Sequence, residues 1–161
     1  MSDQNDMLKM LYADNKRLNR TETRETPFAV GFSQFYDVGT YVPTYLGATT
    51  PGMTTYTTQQ GAWIRIGAAI FVTGTVVWTA ATGTGSAIIS LPFAPVNITD
   101  QNYSGSVRTV NVTFANNAPQ ILIVPNAATF ILQSPLTNAA STTVVVEAAG
   151  NIVFSVFYFL A

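Results

Sequence analysis

The sequence predicts an all-β body of sandwich or barrel type behind a short N-terminal helical arm, and three observations carry that reading. From Phe28 onward, runs rich in Val, Ile, Phe, Tyr and Thr are separated by Gly, Pro, Asn and Ser clusters at intervals of about ten residues, the rhythm of short antiparallel strands. Ten of the fifteen charged side chains fall within residues 1–25, which leaves Asp37, Arg65, Asp100, Arg108 and Glu147 for the rest of the chain. That remainder is about 4% charged, against roughly 25% in an ordinary soluble domain, so two materials meet near Pro27. The C-terminal run from Asn151 to Ala161 is apolar on both alternating faces, as a strand buried on two sides must be. The expected division is an arm over 1–27, for attachment or oligomerisation, and a β-sandwich body over 28–161.

The arm reads as a helix over 3–20. Asp3 is placed to cap it, Asp6 lies near the positive end of its dipole, and Lys16, Arg17 and Arg20 lie near the negative end. Leu8, Leu11 and Leu18 keep heptad spacing with Asn15 at the polar position between them, which fits a short parallel coiled coil. Met7, Met10 and Tyr12 widen the apolar stripe and fit an arm docking into a groove on a larger particle. A plain solubilising tail is the third possibility, but it needs no leucine stripe. Residues 21–27 lead out of the helix, because the residue before Pro27 is pushed from helical geometry.

In the body, strands are expected over 28–36, 54–58, 62–67, 69–80, 86–91, 106–114, 120–124, 128–133, 142–147 and 151–160. Turns are expected at 47–52, 83–85, 95–102, 116–119, 125–127, 135–141 and 150–151. Straight alternation from Trp63 to Trp78 puts Ile64, Ile66, Ile70, Val72, Gly74, Val76 and Trp78 on the core face and Trp63, Arg65 and Phe71 on the other. Gly67 and Gly74 suggest a bend or bulge in that run. The last strand, exposed as an edge, would be an aggregation hazard, so it belongs in the centre of a sheet or along an oligomer axis. The scarcity of charge favours the axis, with Phe154, Phe157 and Phe159 as interface residues.

Composition excludes much chemistry. The chain has no cysteine and no histidine, which removes disulfides, thiolate and imidazole metal sites and the usual nucleophile–base pairs. A net charge of −1, with two arginines and no lysine after residue 25, gives no electrostatic basis for nucleic acid. The apolar runs are too short for a membrane-spanning helix, and the acidic N-terminus does not read as a secretory signal, so synthesis in a cytoplasm is expected. Asp37, Asp100 and Glu147 could form a hydrolytic carboxylate pair only by meeting in space, and each reads more simply as a turn or strand-end acid. Arg65 and Arg108 could pair with Glu147 or with a neighbouring subunit. Asn97 to Asn102 has too few acids for a calcium loop. Three glycosylation-type triplets, at Asn97, Asn102 and Asn111, read as chance in a Thr/Asn-rich chain. No catalytic, cofactor or metal residue is expected. Tyr41, Tyr45 and Tyr56, in a Tyr/Thr-rich stretch, are the expected contacts if the protein holds a sugar.

One stretch carries a pattern: Tyr56, Gly61, Trp63, Arg65, Ile66, Gly67, Ile70, Phe71, Gly74, Val76 and then Leu91, Pro92 and Phe93. This arrangement, about a quarter of the chain, resembles a module of bacteriophage tail fibres, spikes and head appendages. The resemblance implies a virion surface protein, made in the host bacterial cytoplasm, trimeric, with a jelly-roll-like β-sandwich knob. With the missing charge, it leads to the expectation of a homotrimeric capsid decoration, cement or short head-fibre protein. Residues 1–25 would join the major capsid protein or another virion protein. The alternative is the receptor-binding tip of a short tail fibre recognising host surface glycan.

Overall fold

The computed structural model describes residues 36–115 and 119–160. The arm, with Met7, Leu8, Met10, Leu11, Asn15 and Leu18, lies outside the described residues, as does the strand expected over 28–36 apart from Tyr36. The compact β body begins at Asp37. Among the described residues there are ten strands and no helix: β1 (Tyr36–Tyr41), β2 (Tyr45–Gly47), β3 (Thr54–Ile66), β4 (Ala69–Ala81), β5 (Ala87–Ser90), β6 (Tyr103–Val110), β7 (Gln120–Ile123), β8 (Thr129–Leu136), β9 (Ala139–Thr143) and β10 (Gly150–Phe159). The all-β class is therefore as expected.

All ten strands belong to one sheet, in the order β1-β3-β4-β10-β6-β7-β8-β5-β2, with β9 added to β8. The pairings that join β2 through β10 are antiparallel. Ring contacts show that this sheet curls over itself. Strands lie about 4.8 Å apart, so β8 and β10, three steps apart, would be roughly 14 Å apart in a flat sheet. Phe130 of β8 and Phe154 of β10 meet at 4.9 Å. Tyr45 of β2 and Trp78 of β4, six steps apart in the order, stack at 4.0 Å and 21°. The concave side encloses the core: Ile70, Val72, Val76 and Trp78 of β4 alternate inward against Ile152, Phe154, Val156 and Tyr158 of β10, with Ile89, Phe130 and Leu132 opposite.

The curl brings β2 beside the start of β3, and side chains join them. The Tyr56 hydroxyl accepts from the Tyr45 N–H at 2.7 Å and donates back to the Tyr45 carbonyl at 3.0 Å. Thr54 Oγ1 donates to the same carbonyl at 2.8 Å, and Gln59 Nε2 donates to the Pro43 carbonyl at 2.9 Å. A backbone edge that would otherwise invite another strand is thus engaged within the chain.

The strands expected over 54–58 and 62–67 are one thirteen-residue strand, β3, with register shifts around Tyr56. The polar Gln59-Gln60-Gly61 stretch does not break it. Gly61 lies under the ring of Tyr41, where a Cβ would come 2.2 Å from Cε1. Gly74 is no bulge either. It pairs with Gly61 and Phe154, and its missing Cβ makes room for the Phe154 ring, 2.5 Å from the position that a Cβ would take. Phe154 is itself packed on Phe130, so its ring has nowhere to swing. Gly74→Ala is expected to cost about 1–3 kcal/mol by overpacking. The shift in urea midpoint measures it, and an unchanged midpoint would mean that the ring relaxes freely.

Gly67 corrects the face assignment. It takes φ 61°, and with Ala68 it forms a two-residue turn, so Ile66 pairs with Ala69 and Trp63 with Val72. Paired residues in an antiparallel hairpin share a face, so straight alternation carried through such a turn exchanges the two faces of β3. Ile64 and Ile66, expected in the core, stand exposed; Trp63, expected outside, packs edge-on to Phe93 at 5.0 Å and 86°. The strand expected over 106–114 stops at Val110 because Asn111 turns left-handed, at φ 56°. The turn expected over 135–141 is narrower: Pro135 still lies in β8, beside a register shift, and the reversal centres on Asn138.

Candidate interaction face

The outward side of the curled sheet over β3, β4 and β10 follows from the registers. Ile64 stands opposite Phe71, Phe71 opposite Phe157, and Ile66 beside Ala69 and Phe159. These side chains share the convex face. Phe71 and Phe157 lie 4.7 Å apart by ring centroid, and Phe157 and Phe159 lie 5.1 Å apart. Ile66 is 51% exposed, Phe71 49%, and Phe157 and Phe159 37% each. Central strands carry this patch, so the sheet's own hydrogen bonding hides none of it. The five large residues of the patch, Ile64, Ile66, Phe71, Phe157 and Phe159, are all apolar; Arg108 of β6 stands further along, opposite Val153 of β10. At the hairpin end, Arg65 Nε donates to the Gly67 carbonyl at 2.8 Å.

The three expected interface phenylalanines divide. Phe157 and Phe159 lie in the exposed patch. Phe154 does not: it is 2% exposed, on the inner face between Phe130 and Gly74, and offers no surface to a neighbour. One-residue parity decides it, because even-numbered positions of β10 point inward and odd-numbered ones outward.

The tyrosines expected to hold sugar are structural. Tyr45 is fully buried, stacked on Trp78, and its hydroxyl accepts from the Glu147 N–H at 2.9 Å. Tyr56 is occupied with the Tyr45 backbone. The Tyr41 hydroxyl is buried without a hydrogen-bond partner, and its ring covers Gly61. Tyr45 therefore offers no surface to a sugar, which corrects the expectation for that residue; Tyr41 and Tyr56 are half-buried.

Burial raises the Tyr45 phenol to about 12, although the hydrogen bond from Glu147 works in the opposite direction. Burial likewise pushes up Tyr41 and Tyr158, with Tyr158 adding to the effect on Tyr41. Folded Tyr45 and Tyr158 keep protons that the unfolded chain releases from pH 10 upward. Their contribution to stability is whole below pH 10 and is lost as pH rises through the folded values. From pH 10 up to about 12, where Tyr45 titrates in the fold, these two groups should lower stability by at most about 3 kcal/mol per pH unit. Urea midpoints and tyrosinate absorbance, measured together on either side of pH 10, test this. A flat midpoint would contradict it.

The acids are dispersed into local roles. Asp37 Oδ1 accepts from the Val38 N–H, Asp100 sits in a turn at φ 61°, and Glu147 Oε1 accepts from the Thr113 N–H at 3.1 Å. The Glu147 carbonyl accepts from Trp78 Nε1 at 2.9 Å. Among the described residues no three His, Cys, Asp or Glu side chains gather as a metal would require.

The fold explains the residue pattern that runs from Tyr56 to Phe93. Gly61 and Gly74 admit the Tyr41 and Phe154 rings, Gly67 makes the turn, and Arg65 bonds to that turn. Trp63 packs on Phe93, whose carbonyl accepts from the Tyr158 hydroxyl at 2.9 Å. Gly61, Trp63, Arg65, Gly67, Gly74 and Phe93 thus serve the sheet, whereas Ile66 and Phe71 stand on its exposed face.

A groove of about 750 Å³, which sequence reasoning missed, lies further along the same convex face. Thr40 of β1, Val42 just after it, Gln60 and Ala62 of β3, Thr73 and Thr75 of β4 and Val153 of β10 are among the residues that line it. Its only legible sign was the pairing of small residues, Gly61 with Gly74 and Ala62 with Thr73, which needs the hairpin register to be seen.

Fold and face together define an all-β protein with a curled antiparallel sheet and an exposed, uncharged aromatic surface. No protein-family model matches the chain, and no curated protein matches it.

Proposed function

We propose that this is a structural virion protein of a bacteriophage, a homotrimer of jelly-roll-like knobs serving as capsid decoration, cement or short head fibre. The observation that carries the reading is the Phe71, Phe157 and Phe159 patch, exposed on central strands of a nearly uncharged body. A contiguous apolar patch of this kind is what an assembly interface presents. The resemblance of the 56–95 stretch to fibre and appendage modules supports the virion setting, and the leucine-striped charged segment over 1–25 supplies the piece that would join another virion protein. The tail-fibre-tip reading is the alternative; of its three tyrosines Tyr45 is buried against Trp78, while Tyr41 and Tyr56 are half-buried. Quantifying the protein per particle tests the assignment: hundreds of copies fit a decoration protein, whereas tens or fewer would move it to a fibre, and none would remove it from the virion.

A further inference from the structure

We infer that a second hollow, around Glu147, is a binding site for a neutral hexopyranose, held through hydroxyls on neighbouring ring carbons. It shares no residue with the convex patch and does not rest on the assembly reading above. Its volume is about 410 Å³, inside the range of about 300–1,000 Å³ in which small ligands are held. The inward row of β8 leads to it: Phe130 and Leu132 fill the core, and the next inward position is Ser134, 1% exposed. A hydroxyl stands where the apolar row would go on. Thr142 of β9 pairs with Ser134 and so shares its face. With Thr113 and Thr143, these two give the lining four hydroxyl groups, a type that can both donate and accept.

Glu147 is the only charged residue among the described lining. Its N–H donates to the Tyr45 hydroxyl and its carbonyl accepts from Trp78 Nε1, both at 2.9 Å, while Oε1 accepts from the Thr113 N–H at 3.1 Å. The carboxylate is therefore held in place before any ligand arrives. A carboxylate offers about four lone-pair sites, so capacity remains for further donors. Two hydroxyls on neighbouring carbons can bond it together, and such charge-assisted bonds are about twice as strong as neutral ones. An acidic sugar would be repelled. A calcium ion would want more carboxylates, and no three His, Cys, Asp or Glu side chains gather among the described residues. An ammonium group only donates, so it would leave the protons of the lining hydroxyls without acceptors, whereas sugar oxygens accept them. Phe114 and Val145, the latter 58% exposed, add apolar surface for the C–H side of the ring.

The test is an NMR titration of the full chain with the methyl glycosides of glucose, galactose and mannose and, separately, with glucuronate. At least one neutral glycoside should shift the amides of Thr113, Thr142, Thr143 and Glu147 and saturate in the millimolar range, while glucuronate leaves them in place. Glu147→Gln keeps an acceptor oxygen for the Thr113 N–H but removes the charge, and should weaken binding about tenfold or more. Thr142→Val, at an exposed position, removes one hydroxyl and should weaken it several-fold. The inference is overturned if no neutral glycoside shifts those amides, if glucuronate binds as well as the glycosides, or if both variants titrate like wild type. Calcium chloride or methylammonium shifting the same amides where the glycosides do not would make the hollow a cation site and overturn it too.

Discussion

Trp78→Ala should remove a large part of the protein's stability. Trp78 is 1% exposed, stacks on Tyr45 and donates through Nε1 to the Glu147 carbonyl. Tyr45 in turn accepts from the Glu147 N–H. One indole therefore pins strand β2 and the segment before β10 onto β4, which is how the sheet is held in its curl. Truncating a buried tryptophan costs about 3–5 kcal/mol through lost contacts and the remaining cavity, and the abandoned carbonyl adds about 1 kcal/mol or more. Set against a total of about 5–15 kcal/mol, the variant should be close to unfolding at physiological temperature. With a urea slope of about 1–3 kcal/mol per molar, the midpoint should fall by roughly 2 M. A shift that corresponds to under about 1 kcal/mol would show that the curl is held elsewhere.

The second large effect concerns assembly and not folding. Phe157→Asp places a carboxylate at the centre of the convex patch, between Phe71 and Phe159. In the isolated chain the position is partly open to water, so the loss of stability should be about 1 kcal/mol, from the Phe71 contact and the poor strand preference of aspartate. In an interface the same carboxylate would be desolvated without a partner, which costs several kcal/mol. Even about 3 kcal/mol weakens a contact about 100-fold. The variant should therefore remain folded and run as a single chain. Phe154→Asp separates the two faces of the strand: from its place inside the core it should unfold the protein outright. A Phe157→Asp protein that assembles like wild type would take the patch out of the interface.

Much of the fold is legible in the sequence. The alternation in 69–80 and in the C-terminal run, and the Gly, Pro and Asn turns, are local signals, and β4, β5, β7 and β10 lie within a few residues of where they were expected. What was not legible depends on pairing. Whether Ile64 or Trp63 faces the core turns on the two residues at Gly67-Ala68, since one residue more or less in that turn exchanges the faces. Composition alone could not tell Tyr45 as a core residue from Tyr45 as a sugar platform, because its surroundings come from Trp78 and Glu147, 33 and 102 positions away. The same holds for Phe154 against Phe157: both sit in one apolar run, and only the registers to β4 and β6 say which side is covered. The scarcity of charge did point to an assembly surface, but it could not say which strands bear it.

The most direct test of the central idea, that the convex face joins copies of this chain, is the mass of the full-length protein by light scattering across the micromolar range, alongside Phe157→Asp. Three chain masses for wild type and one for the variant are predicted. A wild type that stays at one chain mass throughout, or a variant that keeps three, would contradict it.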